Sequence, residues 1–449
     1  MTAPVASRRE ILRLAVPALG ALAAEPLYVL ADTAIVGHLG TPELAGLGVA
    51  STILLTGYTV FIFLAYGTTG SVARRTGAGD PAGAARLAVQ GLWLAGGLAV
   101  VVAAALFAAG PWLIGVLGAT GEVAGHARVY LWISLLGLPA LFVTMAGTGY
   151  LRGIQDARTP LVVAVVTSLA NLGIQVLLIE GFDQGIGASA LATVLAQTGG
   201  AAVYLRRVVG AARRHGASLR PDAAALRRLG LMGRDLLIRT AALRLAFGAT
   251  TAVAARIGVV PLAGHQVAFE VWTFLSLTLD ALAIAGQSLV GTSLGAGEPA
   301  RARATGRRIL AWGLLGGVAT GLMILAVRTP LAGLFSDDPA VEALAADLLM
   351  WVALLQPLAG VVFALDGVLI GAGDLRYLAG AMTSAGAVML ALAGLVLVTD
   401  AGIAWLWAAL ALMMVARLVP LLVRFRRGRW AVAGADHPPG RAAPGTLPP

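Results

Sequence analysis

Apolar positions along this chain run in long, nearly unbroken stretches, not in the narrow stripes of a soluble helix. Twelve can be drawn, at about 10–37, 44–72, 85–109, 123–148, 157–180, 187–209, 235–257, 262–292, 303–327, 341–370, 375–397 and 402–425; each is roughly 20 residues or more, enough to cross a ~30 Å hydrocarbon core as a helix. The ~10-residue alternating segments of a barrel do not occur. The pattern predicts an all-α integral membrane protein with twelve transmembrane helices.

The stretches also repeat, at a constant offset of 218 residues. Gly40, Leu44, Ala45, Gly46, Val49 and Ala50 recur as Gly258, Leu262, Ala263, Gly264, Val267 and Ala268. Gly77-Ala78-Gly79-Asp80-Pro81-Ala82 recurs as Gly295-Ala296-Gly297-Glu298-Pro299-Ala300, and Pro139 matches Pro357. Six spans per copy is an even number, so both copies start on the same side of the membrane. Two six-helix lobes related by a pseudo-two-fold along the membrane normal are expected, rocking about a shared site. The expected organisation is an N-lobe at 1–209 (helices 1–6), a basic cytoplasmic linker at 210–234, a C-lobe at 235–430 (helices 7–12) and a disordered cytoplasmic tail at 431–449, which carries Pro438-Pro439 and Pro448-Pro449.

Composition agrees with a membrane class, with 59% hydrophobic and 12% charged residues. The net charge of +10 alone would admit a nucleic-acid partner. Its distribution argues otherwise: every basic residue is Arg, and the arginines cluster in every second loop, as the positive-inside rule requires. Both termini are then expected in the cytoplasm of a multi-pass protein of the cell (inner or plasma) membrane, touching anionic lipid headgroups and no nucleic acid. Acids such as Glu43, Glu122, Asp183, Asp337, Asp338 and Asp400 fall in the outer loops. There is no Cys, which excludes disulfides and thiolate metal sites. The first apolar stretch runs to about Gly37, too long for the h-region of a signal peptide.

The first span contains Glu25-Pro26-Leu27-Tyr28-Val29-Leu30-Ala31-Asp32-Thr33-Ala34-Ile35-Val36-Gly37. Later come Gly187-Ala188-Ser189-Ala190-Leu191-Ala192-Thr193, Ala263-Gly264-His265-Gln266 and Asp280-Ala281-Leu282-Ala283-Ile284-Ala285-Gly286-Gln287. Gln356-Pro357 precedes Asp366-Gly367-Val368-Leu369-Ile370-Gly371-Ala372-Gly373-Asp374. In order and spacing, over about 10–425, these resemble the multidrug and toxic compound extrusion (MATE) transporters, in their DinF-like branch. The resemblance implies two six-helix lobes and export of organic, often cationic compounds driven by inward H⁺ or Na⁺, with no other cofactor.

Asp32 leads the candidate residues. A charged Asp at the bilayer centre costs roughly 2.5–3.5 kcal/mol, so such residues default to function. Its repeat partner is Thr250, which makes the acid a feature of one copy. Glu25 falls nearly on the Asp32 face of a helix and Tyr28 within about 40° of it, an acid–phenol–acid stripe suited to a proton relay. Asn171 and Gln175 share a face at i,i+4. In proton-coupled relatives this pair resembles Asn followed by Asp; Gln175 hydrogen-bonds but does not titrate, which moves weight onto Asp32.

In the second copy the acids are Glu270, Asp280 and Asp366; Asp280 and Gln287 share a face, and Asp366 aligns with Thr148. Any of the three could instead neutralise Arg239 or Arg244. Arg244 read as a buried arginine suits an anionic substrate group, and some plant relatives of this branch are associated with organic anions. The Gly-Ala-Gly runs at 77–79, 295–297 and 371–373 are read as tight turns, since no Gly-Lys-Ser/Thr follows. Gly91, Gly96, Gly313 and Gly317 mark close helix packing, and His38 and His265 are placed near the outer ends. Intramembrane enzymes need paired Asp-rich or Ser–His constellations, and none is found. The expectation is a secondary antiporter, not an enzyme, exporting cationic or amphipathic organic compounds by alternating access and acting as a monomer; the alternative is an exporter or flippase of an anionic or lipid-linked substrate.

Overall fold

A computed structural model of the chain describes residues 5–180 and 185–435; Asp183 and the prolines of the tail lie outside the described residues. The described residues form fourteen α-helices: α1 (Arg8–Gly37), α2 (Thr41–Thr59), α3 (Phe63–Gly77), α4 (Pro81–Val116), α5 (Gly121–Leu135), α6 (Leu138–Gly153), α7 (Arg158–Glu180), α8 (Ile186–Arg214), α9 (Ala223–Ile257), α10 (Val259–Gly295), α11 (Pro299–Ala332), α12 (Pro339–Gly371), α13 (Leu375–Val398) and α14 (Ile403–Arg426). Helices are what an apolar solvent demands, because each satisfies its own backbone polar groups. Eleven segments are long and apolar enough to cross a membrane, α2 and α3 counting as one, and the pair α5–α6 supplies a twelfth.

Two of the expected spans are broken. A 3₁₀ turn at Val60–Ile62 separates α2 from α3. The expected span 123–148 is bent by 49° between α5 and α6. Pro139, in the first turn of α6, lacks the N–H that would tie it back across the bend. Its repeat partner Pro357 lies inside the continuous α12. The same residue type thus ends one helix and is absorbed in the other, and neighbouring packing decides which.

The helices gather into two compact units: Val16–Gly233, here the first unit, and Met1–Ala15 with Arg234–Pro449, the second. The division falls inside α1, one residue before Pro17, and inside α9. Ala6, Ile11 and Leu14 are buried, and Arg308 Nη1 donates to Ala6 O at 2.5 Å, so the start of α1 is packed within the second unit. Residues 431–435 of the expected tail are placed, with Gly434 N–H donating to Leu294 O at 2.9 Å and Trp430 buried just before them. Many large apolar side chains, such as Leu30, Val100, Leu169, Leu315, Leu354 and Trp405, point outward, as lipid-facing positions should.

The three Gly-Ala-Gly runs are helix ends. Gly79, Gly297 and Gly373 each adopt a left-handed φ, near +70°, that favours glycine. Asp80 N–H reaches Arg75 O, Glu298 N–H reaches Ser293 O and Asp374 N–H reaches Leu369 O, the closing bond of a Schellman motif. Asp80 then caps α4, accepting from Gly83 N–H at 2.7 Å while Arg75 Nη1 donates to its other oxygen at 2.7 Å. The Gly83 amide first, and then Arg75, hold this carboxyl below its usual pKa. A depressed folded-state value adds stability that is complete above about pH 4 and fades as pH falls through the folded value. Asp80→Ala is therefore expected to lower stability by about 1 kcal/mol at neutral pH and by less in acid. Melting curves of wild type and variant that stay equally far apart down to pH 3 would contradict this origin.

Small residues serve α11 and α12 most directly. A Cβ on Gly313 would stand 2.3 Å from Gly360 O, and one on Gly317 2.3 Å from Gln356 O. Backbone meets backbone there, so Gly360→Ala should cost about 1–3 kcal/mol through overpacking. An unchanged melting temperature in detergent would show that the two helices separate freely. Gly91 makes only ordinary contact and Gly96 faces open space, so the close-packing expectation holds for Gly313 and Gly317 but not for those two.

Candidate functional site

Within the first unit, α1, α7 and α8 bring four sequence-identified residues together, and two more that were not singled out. Asp32 is 5% exposed and accepts a hydrogen bond from Ser189 Oγ at 3.0 Å. Thr193, one turn along α8, donates to Ser189 O at 3.1 Å. Its one hydroxyl proton being committed there, Thr193 Oγ1 accepts from Asn171 Nδ2 at 2.9 Å and from Tyr28 Oη at 3.0 Å. Gln175 is fully buried within electrostatic reach of Asp32, yet neither of its amide atoms meets hydrogen-bond geometry, and Asn171 Oδ1 is likewise unpartnered. Tyr130 on α5 lies within reach of Asp32, Ser189 and Thr193.

This cluster is polar, and Asp32 is the carboxylate hydrogen-bonded within it. Asp32 forms no ion pair among the described residues. Glu25, next to Pro26 on α1, has an exposed side chain that makes no hydrogen bond to this network but lies within electrostatic reach of Tyr28. Ser189, Thr193 and Tyr130 were readable in part: Ser189 and Thr193 are i,i+4 polar residues in an apolar span.

The second unit treats its acids differently. Asp366 on α12 is buried, and its Oδ2 accepts from Arg239 Nη2 of α9 at 2.5 Å and from Arg417 Nη2 of α14. Arg417 is 3% exposed and stacks over Phe363. Asp366 Oδ1 has no partner. Two guanidiniums on one carboxylate oxygen make a charge clasp, not a free carboxylate. Sequence reasoning overlooked Arg417, although an arginine inside an apolar span satisfies the same rule that singled out Asp32.

Arg244, read as buried, is exposed, because it lies five positions and about 140° from Arg239. Glu270 is exposed on α10, Asp280 half-buried and Gln287 buried. His265, expected near an outer end, is 1% exposed, stacked on Phe269 and edge-on to Trp407, with Nε2 at 3.4 Å from Thr250 Oγ1. The repeat position of Asp32 is thus filled by a threonine facing an imidazole. Among the described residues no group of three or more His, Cys, Asp or Glu could hold a metal ion.

A family model, MatE, matches the chain twice, over residues 17–177 and 237–395. The chain belongs to the MatE family. Among relatives, it is 32% identical to "Protein DETOXIFICATION 44, chloroplastic" of Arabidopsis thaliana, over 94% of this chain and 83% of that one. It is 30% identical to "DNA damage-inducible protein F" of Escherichia coli K12, over 95% of each, and 31% to "Probable multidrug resistance protein NorM" of Pseudomonas putida, over 76% of each. A solved structure described as MATE in the bent conformation superposes with a TM-score of 0.85 at 22% identity, covering 94% of both chains. At that identity the likeness is one of fold. The MATE chain described here is a multi-pass membrane protein and a secondary transporter of small molecules.

Proposed function

We propose that this MATE protein is an antiporter of the DinF-like branch, exporting cationic or amphipathic organic compounds in exchange for H⁺ or Na⁺. The observation that carries the reading is Asp32: a buried carboxylate in a membrane-spanning helix, held by one hydroxyl, with no cation paired to it among the described residues. A carboxylate so placed exchanges a proton, or a small cation, at a cost that a nearby arginine would make prohibitive. Asn171 Oδ1 and Gln175 Oε1 are unpartnered oxygens on the adjacent helix, the ligand type a hard cation such as Na⁺ takes. The single donor chain, Tyr28 to Thr193 to the Ser189 carbonyl, fixes the α1–α8 spacing around the carboxylate.

The cycle is alternating access between two six-helix lobes. Substrate and coupling ion each bias the same two-state equilibrium by their difference in affinity for its ends. Ion binding at Asp32 neutralises it, which weakens a cationic substrate in one state and permits return in the other. Asp366, clasped by Arg239 and Arg417, is assigned a structural part. Asp280 and Gln287 remain the polar groups of the second unit that a substrate could use. The alternative, an anionic or lipid-linked substrate, leaned on Arg244, which is exposed, whereas the buried Arg417 is bound to Asp366.

The test uses everted membrane vesicles containing the full chain, a fluorescent cationic dye, and a pH gradient or a Na⁺ gradient imposed separately. One gradient should drive dye uptake, naming the ion. Uptake driven by neither, from folded protein, would defeat the proposal.

A further inference from the structure

The segment from Leu205 to Gly233 holds seven arginines (Arg206, Arg207, Arg213, Arg214, Arg220, Arg227 and Arg228) against one acid, Asp222. Its basic character follows from topology; its shape does not. All seven side chains are exposed, and none pairs with an acid among the described residues. Some arginines elsewhere are paired with an acid: Arg75 with Asp80, Arg234 with Asp235, Arg301 with Glu298, Arg424 with Asp374. The carboxylate of Asp222 is itself committed to capping α9, accepting from Ala224 N–H at 2.9 Å and Ala225 N–H at 3.2 Å.

The segment is seated firmly on α4. Val208, Ala211, Ala212 and Ala217 join one apolar cluster with Ala84, Ala85 and Ala88. Gln90, 1% exposed, donates from Nε2 to Arg220 O at 2.9 Å and accepts at Oε1 from Asp222 N–H at 2.8 Å. Trp93 Nε1 donates to Leu219 O at 2.9 Å. Along α8, Arg206 and Arg213 lie about 20° apart around the helix, as do Arg207 and Arg214, so four guanidiniums share one side. On α9, Arg227 and Arg228 point outward while Ala225 and Leu229 are buried. The half-exposed ring of Trp93 and the exposed Leu219 and Leu205 border this basic strip with apolar surface.

Exposed guanidiniums without acid partners, carried on a seated backbone beside exposed indole and leucine, match a ligand that is anionic at one end and apolar at the other. A soluble polyanion would need only the charge. We propose that this strip is a binding site for anionic phospholipid of the bilayer the chain spans, the phosphate held by the arginines of α8 and α9 and the acyl chains lying along Trp93 and Leu219. The site is independent of what the protein transports.

Lipid retention tests it. The full-length protein is bound to resin in micelles doped equally with phosphatidylglycerol and phosphatidylcholine, washed, and its lipid quantified. Wild type should retain phosphatidylglycerol over phosphatidylcholine by roughly ten-fold, given the attraction of each arginine to an anionic headgroup. The R213Q/R214Q/R227Q/R228Q variant should fall to near parity, and the corresponding four-lysine variant should keep most of the preference. If the Gln variant does not fold, wild type decides alone: washing at about 0.5 M salt should remove most of the preference. Equal retention of both lipids, or a preference unaffected by either the Gln substitutions or salt, overturns the proposal. Inorganic phosphate at constant ionic strength that strips the lipid completely would point to a free-phosphate site and overturn it too.

Discussion

Asp32→Asn is expected to abolish gradient-driven export, by about 100-fold or more, while the protein stays folded. The substitution keeps the shape of the side chain and an oxygen for Ser189 Oγ, which donates to Asp32 at 3.0 Å. It removes the capacity to take up and release a proton and the charge that would hold Na⁺. Stability should hold or rise, because the charge at the bilayer centre, with its cost of roughly 2.5–3.5 kcal/mol, is gone. Everted vesicles report the transport and a melting curve in detergent reports the fold. Export by the variant at a third or more of the wild-type rate would move the coupling site elsewhere. Loss of both export and fold would instead make Asp32 a structural residue.

Asp366→Ala has the opposite signature. It leaves Arg239 and Arg417 crowded together after removal of the carboxylate they share, and Arg417 is 3% exposed. Breaking a buried ion pair from one side costs about 3–5 kcal/mol, because the remaining charge keeps its desolvation penalty. Arg417→Met should cost less, since Asp366 retains Arg239. The double variant should recover part of the loss, with a coupling energy of at least about 1 kcal/mol in a double-mutant cycle. Denaturation in detergent supplies the four stabilities. Strict additivity would show that the clasp stores no mutual energy, and full stability of Asp366→Ala would show that the arginines find other partners.

The two acids show how far a sequence reaches. Each is a carboxylate in an apolar span, and one rule selects both. What separates them lies on distant helices: Ser189 and Thr193 come from α8 to Asp32, while Arg239 and Arg417 come from α9 and α14 to Asp366. No local pattern encodes those meetings. The same limit explains Arg244, placed by its type and not by the side of the helix it occupies.

Periodicity and hydropathy set the membrane class, the number and order of the spans and the internal repeat, because a hydrocarbon solvent allows a long apolar segment almost no choice but a helix. The Gly-Ala-Gly turns were equally legible, since left-handed backbone conformations near +70° favour glycine. The bend between α5 and α6, the seating of the start of α1 in the second unit, and the division of the acids into an uncompensated Asp32 and a clasped Asp366 belong to the tertiary structure alone. Each depends on side chains far apart in sequence competing for the same buried space, and on whether the charge that arrives there matches the one already present.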